Sequence, residues 1–306
     1  MMPFSLPGRR KVEMNTWKIL QMRVEREQMR EWSSLRRVAY ILIPLLIYYV
    51  IHDVAEILLW GGLNLYMESA ARESVAFLEE NGATVRGIIN GLAILIGAAS
   101  IWKAISGEIS APAQKRKETG RERTLTDCFF CGAVSFLAAI GLNLLFSLVE
   151  PFNHSASYAE TAQAQYGVSF AVGLVLYGVV SPFVEEAIFR GLMYNRMKRC
   201  FGFWMAFLLS SLLFGCYHGN LVQAVYASLL GIVFAYILDI SGCLWSSVLL
   251  HMGANIWSLI SPDLYTWIIA RNSAAIMILF LILLMVMILG CFYFTKRVQG
   301  RAKRVI

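Results

Sequence analysis

Eight apolar runs divide the 306-residue chain, and they restrict its fold more than any other feature. They are read at about 39–60, 84–104, 128–149, 167–195 (long and interrupted), 203–218, 221–240, 244–261 and 274–294. Most approach the ~20 residues that a helix needs to cross a hydrocarbon core. The whole chain is 58% apolar and 15% charged, with a mean hydropathy of +0.60. A soluble domain would need more polar surface. The expected fold is all-α: a polytopic membrane helix bundle of about eight transmembrane helices, with both termini on one side.

The net charge of +7 would suit a nucleic-acid partner, but its distribution does not. Nine Lys and Arg precede the first run, six lie in 103–123, three follow the fourth run (Arg196, Lys198, Arg199) and five close the chain. The opposite connections hold only Arg72, Arg86 and Arg271, a contrast of 23 against 3. By the positive-inside rule both termini are expected in the cytoplasm of a multi-pass cell-membrane protein. The bilayer, including anionic lipid, is the expected partner of these charges. No soluble domain is left to present nucleic acid, and none is expected as a partner.

Residues 1–38 read as a basic cytoplasmic arm without a secretory signal, so the first run is expected to be a retained anchor. Trp17, Leu20 and Val24 give 14–37 some amphipathic character. The connection at 61–82 reads as an outer loop, and the charge-rich one at 105–126 as a solvated inner loop. Cys128 and Cys131 form a CxxC without a second pair or a nearby His, which fits buried small thiols better than metal or redox use. No disulfide framework is expected.

The unusual polar residues concentrate in 181–255. The segment Ser181-Pro182-Phe183-Val184-Glu185-Glu186-Ala187-Ile188-Phe189-Arg190-Gly191 sets three ionisable groups inside an apolar run. Each costs roughly 2.5–3.5 kcal/mol at a helix centre even on lenient scales. Glu186 and Arg190 are i and i+4 and can neutralise one another, whereas Glu185 points about 100° away. It is left without a partner in its own segment. One carboxylate then reads as structural and its neighbour as kept for chemistry. Pro182 removes a backbone hydrogen bond, and a kink there would open room beside Glu185.

Two histidines follow inside apolar runs, His218 in Phe214-Gly215-Cys216-Tyr217-His218 and His251 in His251-Met252-Gly253-Ala254-Asn255. A lone membrane histidine is ordinarily an interhelical hydrogen-bonder. Together these groups offer a base (Glu185), an imidazole to orient or share a proton (His218) and two stacked donors suited to an oxyanion (His251, Asn255). The nearby serines, Ser181 among them, lack a recognisable activated setting. Hydrolysis of an amide by activated water is the simplest reaction these parts support. His52, Asp53 and Glu56 in the first run are either a second polar cluster, a substrate gate or an interfacial pairing, the last being the plainer reading. His154 is assigned no role, and Asn90 and Asn143 read as interhelical hydrogen-bonders.

In order and type, Glu185-Glu186-x-x-x-Arg190, Phe214-x-x-x-His218 and His251-x-x-x-Asn255 resemble the three motifs of the CPBP family. That family comprises CAAX prenyl endopeptidases and bacterial bacteriocin-processing or immunity (ABI) relatives. The resemblance covers about 170–262 and implies an intramembrane endopeptidase acting on a membrane-associated protein or peptide, in CAAX-type or leader-peptide processing. It implies Glu185 as general base with His218, His251 and Asn255 as oxyanion donors, and Glu186–Arg190 as a structural ion pair. It divides the chain into an arm (1–38), N-terminal transmembrane helices (39–165), a catalytic core (166–262) and a last helix with a basic tail (263–306). The family has been drawn with zinc on a Glu/His/His set, here Glu185, His218 and His251. A glutamate-dependent route without a cofactor is favoured, since no HExxH helix is present. The rival is a non-catalytic immunity or scaffold protein, or a transporter, that retains the fold. Intact motifs and the absence of repeat halves argue against both.

Overall fold

Helices account for every regular element that the computed structural model describes, over residues 29, 31–109, 130, 133–134, 137–142, 155–260 and 273–303. They are α1 (Ser34–Ser69), α2 (Arg72–Glu80), α3 (Gly82–Ser100), α4 (Ala156–Tyr166), α5 (Phe170–Phe201), α6 (Phe203–Cys216), α7 (Leu221–Ser241), α8 (Leu244–Ile260) and α9 (Ser273–Lys303). Four of these (α1, α3, α5 and α7), together with Ile278–Arg297 of α9, are long and apolar enough to cross a membrane. Two more, α6 and α8, are apolar but shorter. The chain is thus a multi-pass helical membrane protein. Most of the 128–149 run, the Cys128–Cys131 pair, most of the 14–37 segment and His154 lie outside the described residues.

Two connections differ from expectation. The outer loop expected at 61–82 is helical for most of its length: α1 runs on to Ser69, and α2 follows after Ala70 and Ala71. Hydropathy falls near residue 60, but Leu, Met and Glu in 61–69 are good helix formers, so the apolar run ends before the helix does. At 36 residues α1 is about 54 Å long, well beyond a ~30 Å hydrocarbon core.

The inner connection also begins ordered. Residues 102–109 continue helically after a turn at Ile101, and Glu108 is buried rather than solvated. Its Oε1 accepts from Arg196 Nε at 3.1 Å, Arg199 at 2.5 Å and the Tyr40 hydroxyl at 3.1 Å. Burial would raise this carboxyl, but the hydrogen bonds and charges of Arg199 and Arg196 prevail and hold it below the usual carboxylate range. The cluster ties the start of α1 and the 102–109 helix to the basic end of α5.

The core is built around α5. Val184, Ile188, Phe189, Leu192 and Met193 are buried with Phe214 of α6, Phe234 of α7 and Leu250 of α8, while Ile41 and Tyr48 of α1 close the remaining side. Close approach of α6 and α7 depends on Gly231. A Cβ there would stand 3.2 Å from the Ser211 backbone and 2.8 Å from the Arg190 guanidinium.

Candidate active site

The acidic motif sits on a short α-turn, Ser181–Glu186, between two π-wound stretches, Leu176–Val180 and Ala187–Tyr194. Wider winding of this kind is frequent at functional sites. Glu186 and Arg190 are each 0% exposed, and Arg190 Nη1 lies 3.2 Å from Glu186 Oε1. The guanidinium also lies over the Phe214 ring at 4.1 Å and near that of Phe234 at 5.5 Å. Aromatic faces attract a desolvated cation, by about 2 kcal/mol in favourable cases. The pairing read from spacing is thus an ion pair in a buried aromatic pocket.

Glu185 is 7% exposed and does have a partner in its own segment, contrary to expectation: the Ser181 hydroxyl donates to its Oε1. Ser181 is i−4, so the two side chains stack along one face. The second oxygen, Oε2, is buried without a hydrogen bond among the described residues and lies 3.8 Å from His251 Nε2.

Both histidines have one ring nitrogen committed. His218 Nδ1 is 2.9 Å from the Phe214 carbonyl, which only accepts, so Nδ1 carries a proton and Nε2 is left with the lone pair in the neutral ring. The ring stands edge-on to Phe214, 5.1 Å between centroids, and it is an electrostatic neighbour of Glu185, His251 and Arg190. His251 Nδ1 lies 3.2 Å from Glu186 Oε1, and its ring stacks on Phe234 at 5.1 Å. Arg190, Glu186, His251 and Glu185 therefore form one continuous polar chain across α5 and α8.

Asn255 reaches a different target from His251. Its amide donates to the Tyr177 carbonyl at 2.8 Å. The Ser181 N–H is already bonded to Leu176 O, five residues back. In that winding the donor for Tyr177 O would be residue 182, which is proline and has no N–H. In an apolar bundle a freed carbonyl must find another donor. Asn255 supplies it.

The structure thus brings Glu185, Glu186, Arg190, His251 and His218 together, with Asn255 one helical turn beyond His251. It does not add the first-run cluster: His52 Nδ1 pairs with Asp53 Oδ1 at 2.9 Å rather than with Glu56. Four neighbours of Glu185 escape the sequence reading. Ser181 is discoverable from its i−4 spacing. Tyr48 and Tyr49 of α1 and Tyr217 are electrostatic neighbours of the same carboxylate, linked by Tyr49–Tyr217 rings 5.6 Å apart. Nothing local in the sequence joins α1 to Glu185. Among the described residues no three His, Cys, Asp or Glu side chains converge as metal ligands, so Glu185, His218 and His251 do not fit a zinc shell as arranged.

Residues 167–257 match the family description Type II CAAX prenyl endopeptidase Rce1-like. YdiL of Bacillus subtilis (strain 168), named as a candidate membrane peptidase, is 29% identical over 99 residues, 32% of this chain and 41% of that protein. An uncharacterized 24.3 kDa protein of Escherichia coli is 37% identical over 82 residues, 25% of this chain and 38% of that one. The chain thus spans about two fifths of the length of these relatives. No solved structure matches it significantly. The matched segment holds all three motifs, and over it the chain is similar to the Rce1-like type II CAAX prenyl endopeptidases.

Proposed function

We propose that the chain is an intramembrane endopeptidase that hydrolyses a peptide bond of a membrane-associated protein or peptide, in CAAX-type or leader-peptide processing. The observation that carries this reading is the half-engaged Glu185: one oxygen is held by Ser181 and the other is free, beside two imidazoles in a buried setting. Glu186 also leaves its Oε2 without a hydrogen bond, but its Oε1 is taken by Arg190 and His251 at 3.2 Å each, whereas the basic group beside Glu185 Oε2 is His251 Nε2 at 3.8 Å.

In the proposed reaction, a water beside Glu185 loses a proton to the Glu185 Oε2 and His218 Nε2 pair as its oxygen attacks the scissile carbonyl carbon. His251, held at Nδ1 by Glu186 Oε1, faces the developing oxyanion through Nε2, and the second N–H of Asn255 is the other donor. Collapse breaks the C–N bond. The proton held by Glu185 and His218 passes to the leaving nitrogen, and the products are a new carboxyl terminus and a new amine. Glu186 and Arg190 hold His251 in place. No step passes through a metal. Both termini are placed in the cytoplasm, on the 23-to-3 asymmetry of basic residues.

The test is a proteomic comparison of membranes that carry the wild-type protein or Glu185→Gln at matched abundance. Uncleaved precursors should accumulate with Glu185→Gln. Identical peptide termini in the two membranes would refute the reading.

A further inference from the structure

The Pro182–Tyr177–Asn255 arrangement gives Asn255 a task that does not involve the substrate. Ser181 N–H is committed to Leu176 O, Pro182 has no N–H, and the Tyr177 carbonyl is bonded instead by the Asn255 amide at 2.8 Å. The residues just past that carbonyl are Ser181, whose hydroxyl holds Glu185 Oε1, and Glu185 itself. One turn earlier on α8, His251 joins Glu186 at 3.2 Å. Two adjacent links therefore set the register of α8 on α5, and the Asn255 link closes on the turn that carries the Ser181–Glu185 pair.

We propose that Asn255, besides its N–H to the oxyanion, is a positioning residue for Glu185, standing in for the backbone N–H that Pro182 lacks. The inference rests on the reading of Glu185 as the base. Without the Asn255 amide, the Tyr177 carbonyl is left open in an apolar environment. The π-wound turn can then recover a donor only by rewinding, which moves Ser181 and Glu185 relative to His218 and His251. A displacement of about 1 Å at a reacting group can lower a rate about 10²-fold.

A residue that acts through a missing N–H can be replaced by restoring one. The experiment measures processing, in membranes, of the precursors defined by the Glu185→Gln comparison, for Asn255→Ala, Pro182→Ala and the double variant at matched abundance. Asn255→Ala should lower kcat about 10²-fold with KM little changed. Pro182→Ala alone should stay within about threefold of wild type. The double variant should recover at least about tenfold over Asn255→Ala, since alanine in place of Pro182 brings a backbone donor back. Amide hydrogen exchange over 177–186 gives a reading independent of how Pro182→Ala folds: it should quicken in Asn255→Ala. A double variant as impaired as Asn255→Ala, or unchanged exchange over 177–186, overturns the inference. Full activity in Glu185→Gln would instead overturn the proposed function, so the two failures are distinct.

Discussion

Glu185 and Glu186 are adjacent carboxylates with opposite expected responses to mutation. Glu186→Ala leaves Arg190, itself 0% exposed, with the faces of Phe214 and Phe234 and the weaker attraction of Glu185. Stranding one member of a buried pair costs about 3–5 kcal/mol. His251 also loses its Nδ1 partner, a further ~1 kcal/mol, while the aromatic contacts offset up to about 2. The net loss is about 3 kcal/mol, which at ~2–4 °C per kcal/mol lowers the midpoint by roughly 10 °C. Glu185→Gln is milder, because the amide oxygen can still accept from Ser181 and no cation is stranded. Its cost is under about 1 kcal/mol. The assay is thermal unfolding of both variants in one detergent, read by intrinsic fluorescence, beside their membrane abundance. Equal midpoints would refute the division between a structural and a chemical glutamate.

Three more outcomes follow from the geometry. Gly231→Ala places a methyl 2.8 Å from the Arg190 guanidinium and should destabilise by about 1–3 kcal/mol in the same assay, although it changes no charge. Glu108, held below the usual carboxylate range by Arg199 and Arg196, contributes stability that is full above the unfolded pKa of about 4.3 and is lost as pH falls through the lower folded value. The wild type should therefore exceed Glu108→Gln in thermal midpoint at neutral pH, and the gap should close in acid. Reporter fusions at residue 155 and at the C-terminus should report opposite sides of the membrane if both termini are cytoplasmic.

What is legible in the sequence is what depends on helical period. Glu186 with Arg190, and His251 one turn from Asn255, follow from i, i+4 spacing alone. Ser181 obeys the same rule, but in sequence it is weighed only as a nucleophile and set aside for want of an activated setting, and its bond to Glu185 goes unread. The target of Asn255 is not legible, because the orphaned Tyr177 carbonyl arises only where Pro182 meets π winding. Tyr48 and Tyr49 lie more than 130 residues before Glu185 and reach it only through packing of α1. Glu108 reads as a solvated loop residue because its neighbours in sequence are charged, yet its partners come from α1 and α5.

The central claim, that Glu185 activates water for peptide hydrolysis without a metal, is tested most directly on purified protein in proteoliposomes with an identified precursor and strong chelator. The account predicts that the wild type cleaves it with less than stoichiometric zinc by elemental analysis. Glu185→Gln, folded and equally abundant, should turn over at least about 10²-fold more slowly. Cleavage by Glu185→Gln at the wild-type rate would contradict the account. So would stoichiometric zinc that is lost with activity on chelation and restored with activity when zinc is added back.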